Sequence, residues 1–293
     1  MRVKLLPWLC MVYMGVAWGL SFSLAKIATE LGAEPIGISF WQACISGIIL
    51  LLYSKVTNKK IILSAEIIIA FLILACIGNI FPSLAFYYAA SKVSAGILSI
   101  TVTLIPILTY GLALLVRQER FSLVRLIGLI FGFVAICIII FPETSLPSRS
   151  AAVWVLVASL SSLFYASENI YLTMKNFDRI GPVRLACGMN LTAAIMLSIP
   201  AILSSNFYTP IATSVDLILA VFGLGVISAT TYTIFIYTIR TSGAIFTSQV
   251  GYLVSIFGLL WGIFLFSENH SAWIWASFAL MMLGLFLVRP QKV

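Results

Sequence analysis

One acidic residue of this chain stands where acids are rare. Glu168 lies in the run Tyr165-Ala166-Ser167-Glu168-Asn169-Ile170-Tyr171, inside an apolar stretch long enough to cross a bilayer. An ionised carboxylate is costly at that depth, so the side chain must face a polar cavity, pair with another group or be protonated. Two interpretations stay open. Glu168 is either a site for a proton, a cation or a substrate amine, or a structural acid bonded to a neighbouring helix.

The other candidates are polar and aromatic side chains within apolar stretches. Amides there commonly form interhelical hydrogen bonds and aromatic rings commonly pack between helices, so a structural role stands beside a binding role for each. The residues predicted to bind substrate are Glu168, Asn169, Trp18, Ser21, Gln42, Asn79, Tyr88, Tyr237, Gln249 and Tyr252.

Three residues are candidates for coupling or gating, namely Glu168, Lys26 and Pro106. Lys26 ends the first apolar stretch, where it either attracts anionic groups at the outer mouth or simply reaches for the interface. Pro106 removes a backbone donor and frees the carbonyl of Val102, which indicates either a break that lines a cavity or a plain kink. Glu119 stands between Arg117 and Arg120, which favours a salt bridge at the membrane rim, whereas a gating role would need a partner that exchanges between states.

The sequence lacks the usual catalytic patterns. His270 is the single histidine, and neither H-E-x-x-H nor G-x-x-x-x-G-K-[ST] occurs, so zinc hydrolysis and an ATP-driven motor have no support. The nine acids are scattered, and the five cysteines form no C-x-x-C pair. We therefore expect no metal site, no cofactor and no enzymatic activity.

Ten apolar stretches must position these residues. Hydrophobic residues make up 62% of the chain and charged residues 9%, against about 25% charged residues in a soluble domain. A helix needs roughly 20 apolar residues to cross a bilayer, and continuous runs favour helices over strands. The predicted spans are 5–27, 36–54, 66–89, 94–116, 123–141, 151–173, 182–203, 216–238, 245–266 and 272–289. The predicted fold is all-α, a polytopic membrane protein with ten transmembrane helices.

The net charge of +8 sets the orientation in the bilayer. With a cytoplasmic N-terminus, only Lys26, Lys92 and Arg149 of the 17 basic residues lie outside, which is a positive-inside distribution. Ten spans then place both termini in the cytoplasm. No basic stripe runs beside stacking aromatics, so the bilayer and a small solute are the expected partners, and nucleic acid is not.

The second half of the chain loosely repeats the first after a shift of 149 residues. Segment 85–139 overlays 234–288 without a gap, and it brings Ala95 onto Ala244 and Glu119 onto Glu268. Each half has five spans, so the second copy enters the membrane from the opposite side. We predict inverted repeats over 1–146 and 147–293, which together form one transmembrane domain. Inverted repeats are typical of secondary transporters with a site near the midplane.

At these residues the chain resembles the EamA-type transporters of the drug/metabolite transporter superfamily. The first span contains Ala17-Trp18-Gly19-Leu20-Ser21-Phe22-Ser23-Leu24-Ala25-Lys26, similar to the family's W-G-x-x-F-x-x-x-K opening. Further matching residues are Ala85-Phe86-Tyr87-Tyr88-Ala89-Ala90-Ser91, Ser94-Ala95-Gly96, Pro106, Glu119-Arg120, Gly128, Gly132, Tyr237, Ala244 and Ser267-Glu268. The resemblance covers nearly the whole chain and implies two EamA-like five-helix repeats.

The resemblance implies export or facilitated movement of a small metabolite, amino acid, amine or drug-like solute. We expect a multi-pass secondary transporter of the cell (inner) membrane that works by alternating access and is driven by protons or by the substrate gradient alone. A phosphate- or nucleotide-sugar antiporter of the same superfamily is the alternative, and a non-transporting membrane enzyme or scaffold is the alternative from another class. The oligomeric state is either a monomer or a homodimer.

Three positions depart from the family's pattern. Gln42 stands where an arginine is frequent, Ser255 stands where a proline is common, and Glu168 is an acid in a span that usually lacks one. These departures leave the predicted fold intact and weaken any transfer of substrate identity.

Overall fold

The apolar stretches form helices throughout the part of the chain that the structure describes. The computed structural model describes residues 5–57, 64–141, 148–175, 177, 180–203 and 214–287, and no strand occurs among them. The helices, numbered by span, are α1 Leu5–Glu30, α2 Pro35–Val56, α3 Ala65–Ala90, α4 Ala95–Leu115, α5 Leu123–Ile140, α6 Ala151–Met174, α7 Pro182–Leu203, α8 Val215–Ser242, α9 Phe246–Phe266 and α10 Ala272–Leu287. These bounds confirm the ten predicted spans to within a few residues.

Nine of the described helices are long and apolar enough to cross a membrane. Within the described residues α10 is shorter, with 16 residues. The predicted boundary between residues 146 and 147 lies outside the described part of the chain. So do seven of the basic residues that set the predicted topology, namely Arg2, Lys4, Lys59, Lys60, Arg179, Arg289 and Lys292.

Three of the ten helices are interrupted inside the membrane. A π-helical turn, Ala75–Ile80, joins Ala65–Leu74 to Phe81–Ala90 in α3. Helix α4 consists of Ala95–Thr101 and Leu104–Leu115. Its counterpart α9 is interrupted at Gln249, with the short helix Ala244–Ser248 before the break and Val250–Phe266 after it. Non-helical backbone at membrane depth is tolerated where protein or a cavity surrounds it, so these breaks point to the interior of the bundle.

The packing of the helices repeats between the two halves. Helix α2 packs against α7, α4 against α9 and α5 against α10, so each of these helices meets its own counterpart. Helix α1 packs against α8 and α9, while its counterpart α6 packs against α3 and α4. Exchanging the halves therefore preserves the set of neighbours, as an approximate two-fold axis requires. Because each half has five spans, that axis inverts one repeat relative to the other.

Glycines allow the closest of these crossings. A β-carbon on Gly19 of α1 would lie 2.9 Å from the amide nitrogen of Gly258 and 3.0 Å from the carbonyl carbon of Phe257, both in α9. Across the axis, the Ser255 hydroxyl donates to the Ser99 carbonyl at 2.6 Å, and the Ser99 hydroxyl donates to the Ser255 carbonyl at 3.3 Å. Small residues of this kind drive helix association in lipid, because they let backbones approach.

We predict that one glycine substitution in this bundle lowers the stability of the protein and that a second one does not. Gly19→Ala places its methyl group against the backbone of α9, so the helices must separate, at a cost of about 1–3 kcal/mol. Gly111→Ala in α4 adds its methyl group to open space. It removes only the flexibility of glycine, so we expect no loss of stability. Thermal unfolding of the two purified variants in detergent measures the difference. Equal melting temperatures would contradict the close crossing of α1 and α9.

Candidate substrate site

A cavity lies between the two halves, at the level of the helix breaks. It holds about 960 Å³ of empty space, including its opening to solvent. Helices from both repeats line it: α1, α2, α3 and α4 from the first, and α6, α8 and α9 from the second. Its polar and aromatic lining residues are Trp18, Ser21, Phe22, Gln42, Ser83, Phe86, Tyr87, Tyr165, Glu168, Asn169, Ser228, Tyr232, Phe235 and Ser248.

Glu168 is the only charged side chain among the described residues that line the cavity. Its exposed fraction is 1%, and neither carboxylate oxygen has a hydrogen-bond partner among the described residues. The carboxylate packs directly against Gly78 of α3, where a β-carbon would overlap it. A larger residue at position 78 would therefore force the Glu168 carboxylate to move.

The π-helical turn of α3 supplies that glycine and also a free carbonyl. Pro82 follows the turn and lacks the amide hydrogen that would otherwise bond the carbonyl of Gly78. The hydroxyl of Tyr232, from α8, donates to this carbonyl instead. Single turns of π-helix inside α-helices are frequent at functional sites. Here the turn joins the backbone of α3 to the cavity wall of α8, directly beside Glu168.

Seven aromatic side chains contribute to the cavity lining. The centroid of Trp18 lies 5.8 Å from that of Tyr232 and 5.4 Å from that of Phe235, with both pairs edge to face. Phe86 stacks on Tyr165 at 6.2 Å. The faces of such rings carry partial negative charge and attract cations. The aromatic rings and the carboxylate thus both favour a positively charged ligand.

The remaining polar groups are largely occupied by protein partners. The hydroxyl of Tyr87 donates to the side-chain oxygen of Gln42, and the hydroxyl of Ser21 donates to the Trp18 carbonyl at 2.6 Å. The Asn169 amide donates to Thr109 at 3.1 Å, while its side-chain oxygen has no partner among the described residues. Asn169 thus adds a second unpartnered acceptor to the cavity lining, on the neighbouring position of α6.

The structure brings together half of the residues predicted to bind substrate. Trp18, Ser21, Gln42, Glu168 and Asn169 line the cavity. The other five lie outside its lining: Asn79, Tyr88, Tyr237, Gln249 and Tyr252.

Those five residues have other surroundings. The Asn79 amide donates to the Asn190 side chain at 3.0 Å, in the interhelical role that amides commonly take. Tyr88 and Tyr237 are symmetry counterparts and are 39% and 38% exposed. Gln249 stands at the break of α9, and Tyr252 is half-buried on the same helix.

Pro106 is associated with a true break in α4. The helix stops at Val102 and Thr103, and the Val102 carbonyl accepts from Ile105 at 2.9 Å in a tighter turn. Val102 itself lines the cavity. Of the two sequence interpretations, the break that lines a cavity agrees with this geometry.

Several lining residues were not predicted to bind substrate, among them Tyr232, Phe235 and Phe86. Their aromatic character alone does not separate them from packing residues. A usable signal did exist in Gly78 and Pro82, because a glycine four residues before a proline leaves an unbonded carbonyl without a shielding side chain. That signal marks the wall of the cavity on α3.

At the predicted outer face, Lys26 and Glu268 form an ion pair with 2.9 Å between nitrogen and oxygen. The carboxylate of Glu268 also accepts from the backbone amides of Ala95 at 2.9 Å and Gly96 at 3.1 Å, at the start of α4. His270 lies 3.4 Å from it. We call this group of five residues the outer latch. Lys26 is thus bound to a mostly buried acid, which replaces its interpretation as a side chain reaching for the interface.

The outer latch keeps Glu268 ionised. Burial by itself would raise the pKa of this carboxyl, but contacts with His270 and Lys26 and the Gly96 amide bond outweigh burial. Together they lower the pKa of Glu268 to about 2. At the other face, Glu119 pairs with Arg125 at 2.9 Å, a partner further along the chain than the flanking arginines suggested.

These features define a class: a polytopic, all-helical membrane protein whose two inverted repeats line a central cavity. The EamA-like transporter family matches residues 6–141 and 152–289, so the chain belongs to that family. A solved structure titled only "Crystal structure of protein" superposes with a TM-score of 0.64 at 16% identity, covering 94% of this chain and 95% of that one. This likeness supports the fold alone. A comparison with curated proteins finds no match.

The lowered pKa of Glu268 predicts how the latch responds to pH. A carboxyl whose pKa is lower in the folded protein contributes stability above its usual pKa of about 4.3, and this contribution disappears as the pH falls toward about 2. Glu268→Gln should therefore lower the free energy of unfolding near neutral pH by on the order of 1–3 kcal/mol. The gap between variant and wild type should stay constant from about pH 8 to about pH 5 and shrink below that.

Thermal unfolding of both proteins across this pH range measures the gap. Exposed Glu30→Gln is the matched control, and we expect no gap for it. A gap for Glu268→Gln that already closes near neutral pH would contradict the ionised latch.

Proposed function

We propose that this protein is a secondary transporter that moves small organic cations, such as amines, by alternating access to the central cavity. The observation that carries this proposal is the buried, unpartnered carboxylate of Glu168 in a cavity without any lysine or arginine among its described lining residues. Membership of a transporter family sets the general activity. The negative charge of the cavity lining favours a cationic substrate.

The argument from charge is direct. A buried carboxylate without a counter-charge is unstable, so Glu168 favours a bound proton or a bound cation. Both occupants compensate the same charge, and they therefore exclude each other. Competition of this kind couples the two movements, because each passage of the carrier takes either a proton or the substrate. An inward proton gradient across the cell membrane would then drive the cation outward.

The walls support an amine with an apolar or aromatic body. Trp18, Tyr232 and Phe235 present ring surfaces that attract an ammonium group and also pack against an apolar body. The side-chain oxygen of Asn169 offers a second acceptor for an N–H donor. A primary amine could use both acceptors, whereas a quaternary ammonium ion would depend on charge and the rings alone.

The alternatives fit this cavity less well. A phosphate- or nucleotide-sugar antiporter needs cationic side chains facing its substrate, and none of the described lining residues is cationic. An enzyme that acts by acid–base chemistry would need a second acid or a histidine beside Glu168, and the described lining contains neither.

We predict that Glu168→Gln abolishes cation recognition. In proteoliposomes, labelled benzyltrimethylammonium should show counterflow with wild-type protein, whereas neutral N-benzylacetamide should not. Glu168→Gln keeps the shape of the side chain and removes its charge, so the apparent affinity for the cation should fall at least about tenfold, or ~1.4 kcal/mol. Lowering the pH should weaken wild-type binding by proton competition and leave the variant unaffected.

Glu66→Gln provides the matched control, because Glu66 is an exposed acid at the start of α3. It should transport like the wild type. Equal affinity of Glu168→Gln and wild type for the cation would contradict the proposal, and so would wild-type counterflow of the neutral amide alone.

A further inference from the structure

We infer that Glu119 and Lys175 are gating residues that form an inner latch, the symmetry counterpart of the outer latch, when the cavity faces outward. This inference rests on the alternating access proposed above. It assigns a function to two residues that lie outside the cavity.

Glu119 and Glu268 are counterparts by the 149-residue shift, and the turns that carry them have similar hydrogen bonds. After α4, the amides of Gln118 and Glu119 both donate to the Ala113 carbonyl, at 2.8 and 3.3 Å. After α9, the amides of Ser267 and Glu268 both donate to the Gly262 carbonyl, the latter at 3.4 Å. The left-handed residue differs, because it lies two residues before Glu119 in the first turn and directly before Glu268 in the second. Both acids follow the end of their helix, at opposite predicted faces of the membrane.

Lys175 is the counterpart of Lys26 by the same shift. Lys26 lies near the outer end of α1, and Lys175 directly follows α6, the helix that corresponds to α1. The inner end of α6 already contacts the turn that carries Glu119, because the Thr173 hydroxyl lies 3.2 Å from the Gln118 side-chain oxygen. The lysine and the acid are thus brought to the same corner of the bundle.

The inner latch is not formed in this structure. Glu119 pairs with Arg125, and Lys175 is exposed without an ion pair to any described residue. The Arg125 guanidinium is buried against the Tyr110 ring, 4.9 Å from its centroid, so Glu119 is held by a residue of its own repeat. Closing the inner face would exchange Arg125 for Lys175 and bring Glu119 to the backbone at Ala244, the counterpart of Ala95.

The two latches differ in how tightly they can pack. At the outer face, a β-carbon on Gly262 would press against the Glu268 carboxylate and lie 3.2 Å from the Gly96 amide. The counterpart of Gly262 is Ala113, which adds a methyl group where the outer turn has none, so the acid and the backbone cannot approach as closely at the inner face. The inner latch should consequently be weaker and depend more on its ion pair. This difference explains why the outer latch, and not the inner latch, is formed in this structure.

Paired spin labels test the inference without any substrate. In a background without the native cysteines, one pair sits at Lys92 and Trp273 on the outer face, and the other at their counterparts Thr241 and Val124 on the inner face. All four positions are exposed. Glu268→Gln breaks the outer latch, so the outer distance should lengthen and the inner distance shorten, each by about 5 Å.

The assignment of Lys175 and Glu119 is tested in that Glu268→Gln background. Adding Lys175→Gln should abolish the inner shortening, and so should adding Glu119→Gln, whereas Lys175→Arg, which keeps the positive charge, should retain it. Lys55→Gln, which removes an exposed lysine from the same face, should have no effect.

An inner distance that shortens equally with and without Lys175→Gln would overturn the inner latch while leaving alternating access intact. If Glu268→Gln moves neither distance, alternating access itself is wrong, and the inference falls with it.

Discussion

A carboxylate buried in the membrane without a counter-charge is the constraint on which the rest of the structure depends. Glu168 is 1% exposed and has no partner among the described residues. In lipid such a group faces a polar cavity, pairs with another group or is protonated, and Glu168 lines a cavity without a pairing partner among the described residues. The interrupted helices α3, α4 and α9 all contribute to the lining, and Gly78 of α3 leaves room for the carboxylate.

The two-fold arrangement of the repeats explains how one acid can serve both sides of the membrane. Helices α4 and α9 cross at the axis and hold each other through the reciprocal bonds of Ser99 and Ser255. Each ends in a turn that carries an acid, one at either face. The bonds at the axis are central, so in the proposed alternating-access cycle they would persist while the halves exchange latches around a fixed site. Glu168 itself has no acidic counterpart, because Gly19 occupies that position.

How much the sequence could predict depended on the signal available at each residue. The spans and the repeat were predictable because hydropathy and loop charge are strong one-dimensional signals. Glu168 was predictable because a buried acid is rare. Tyr88 and Tyr237 were predicted to bind substrate and lie outside the cavity lining, since helices that are apolar all round carry no stripe that fixes their rotation. The bond between Lys26 and Glu268, 242 residues apart, depends on packing that no local pattern encodes.

The central claim is that a proton and an organic cation compete for Glu168. Proton release on binding tests it most directly, in purified protein held in weakly buffered detergent with a pH-indicating dye. Addition of benzyltrimethylammonium should release about one proton for each cation bound by the wild type and none with Glu168→Gln. A wild-type protein that binds the cation without releasing protons would contradict the account.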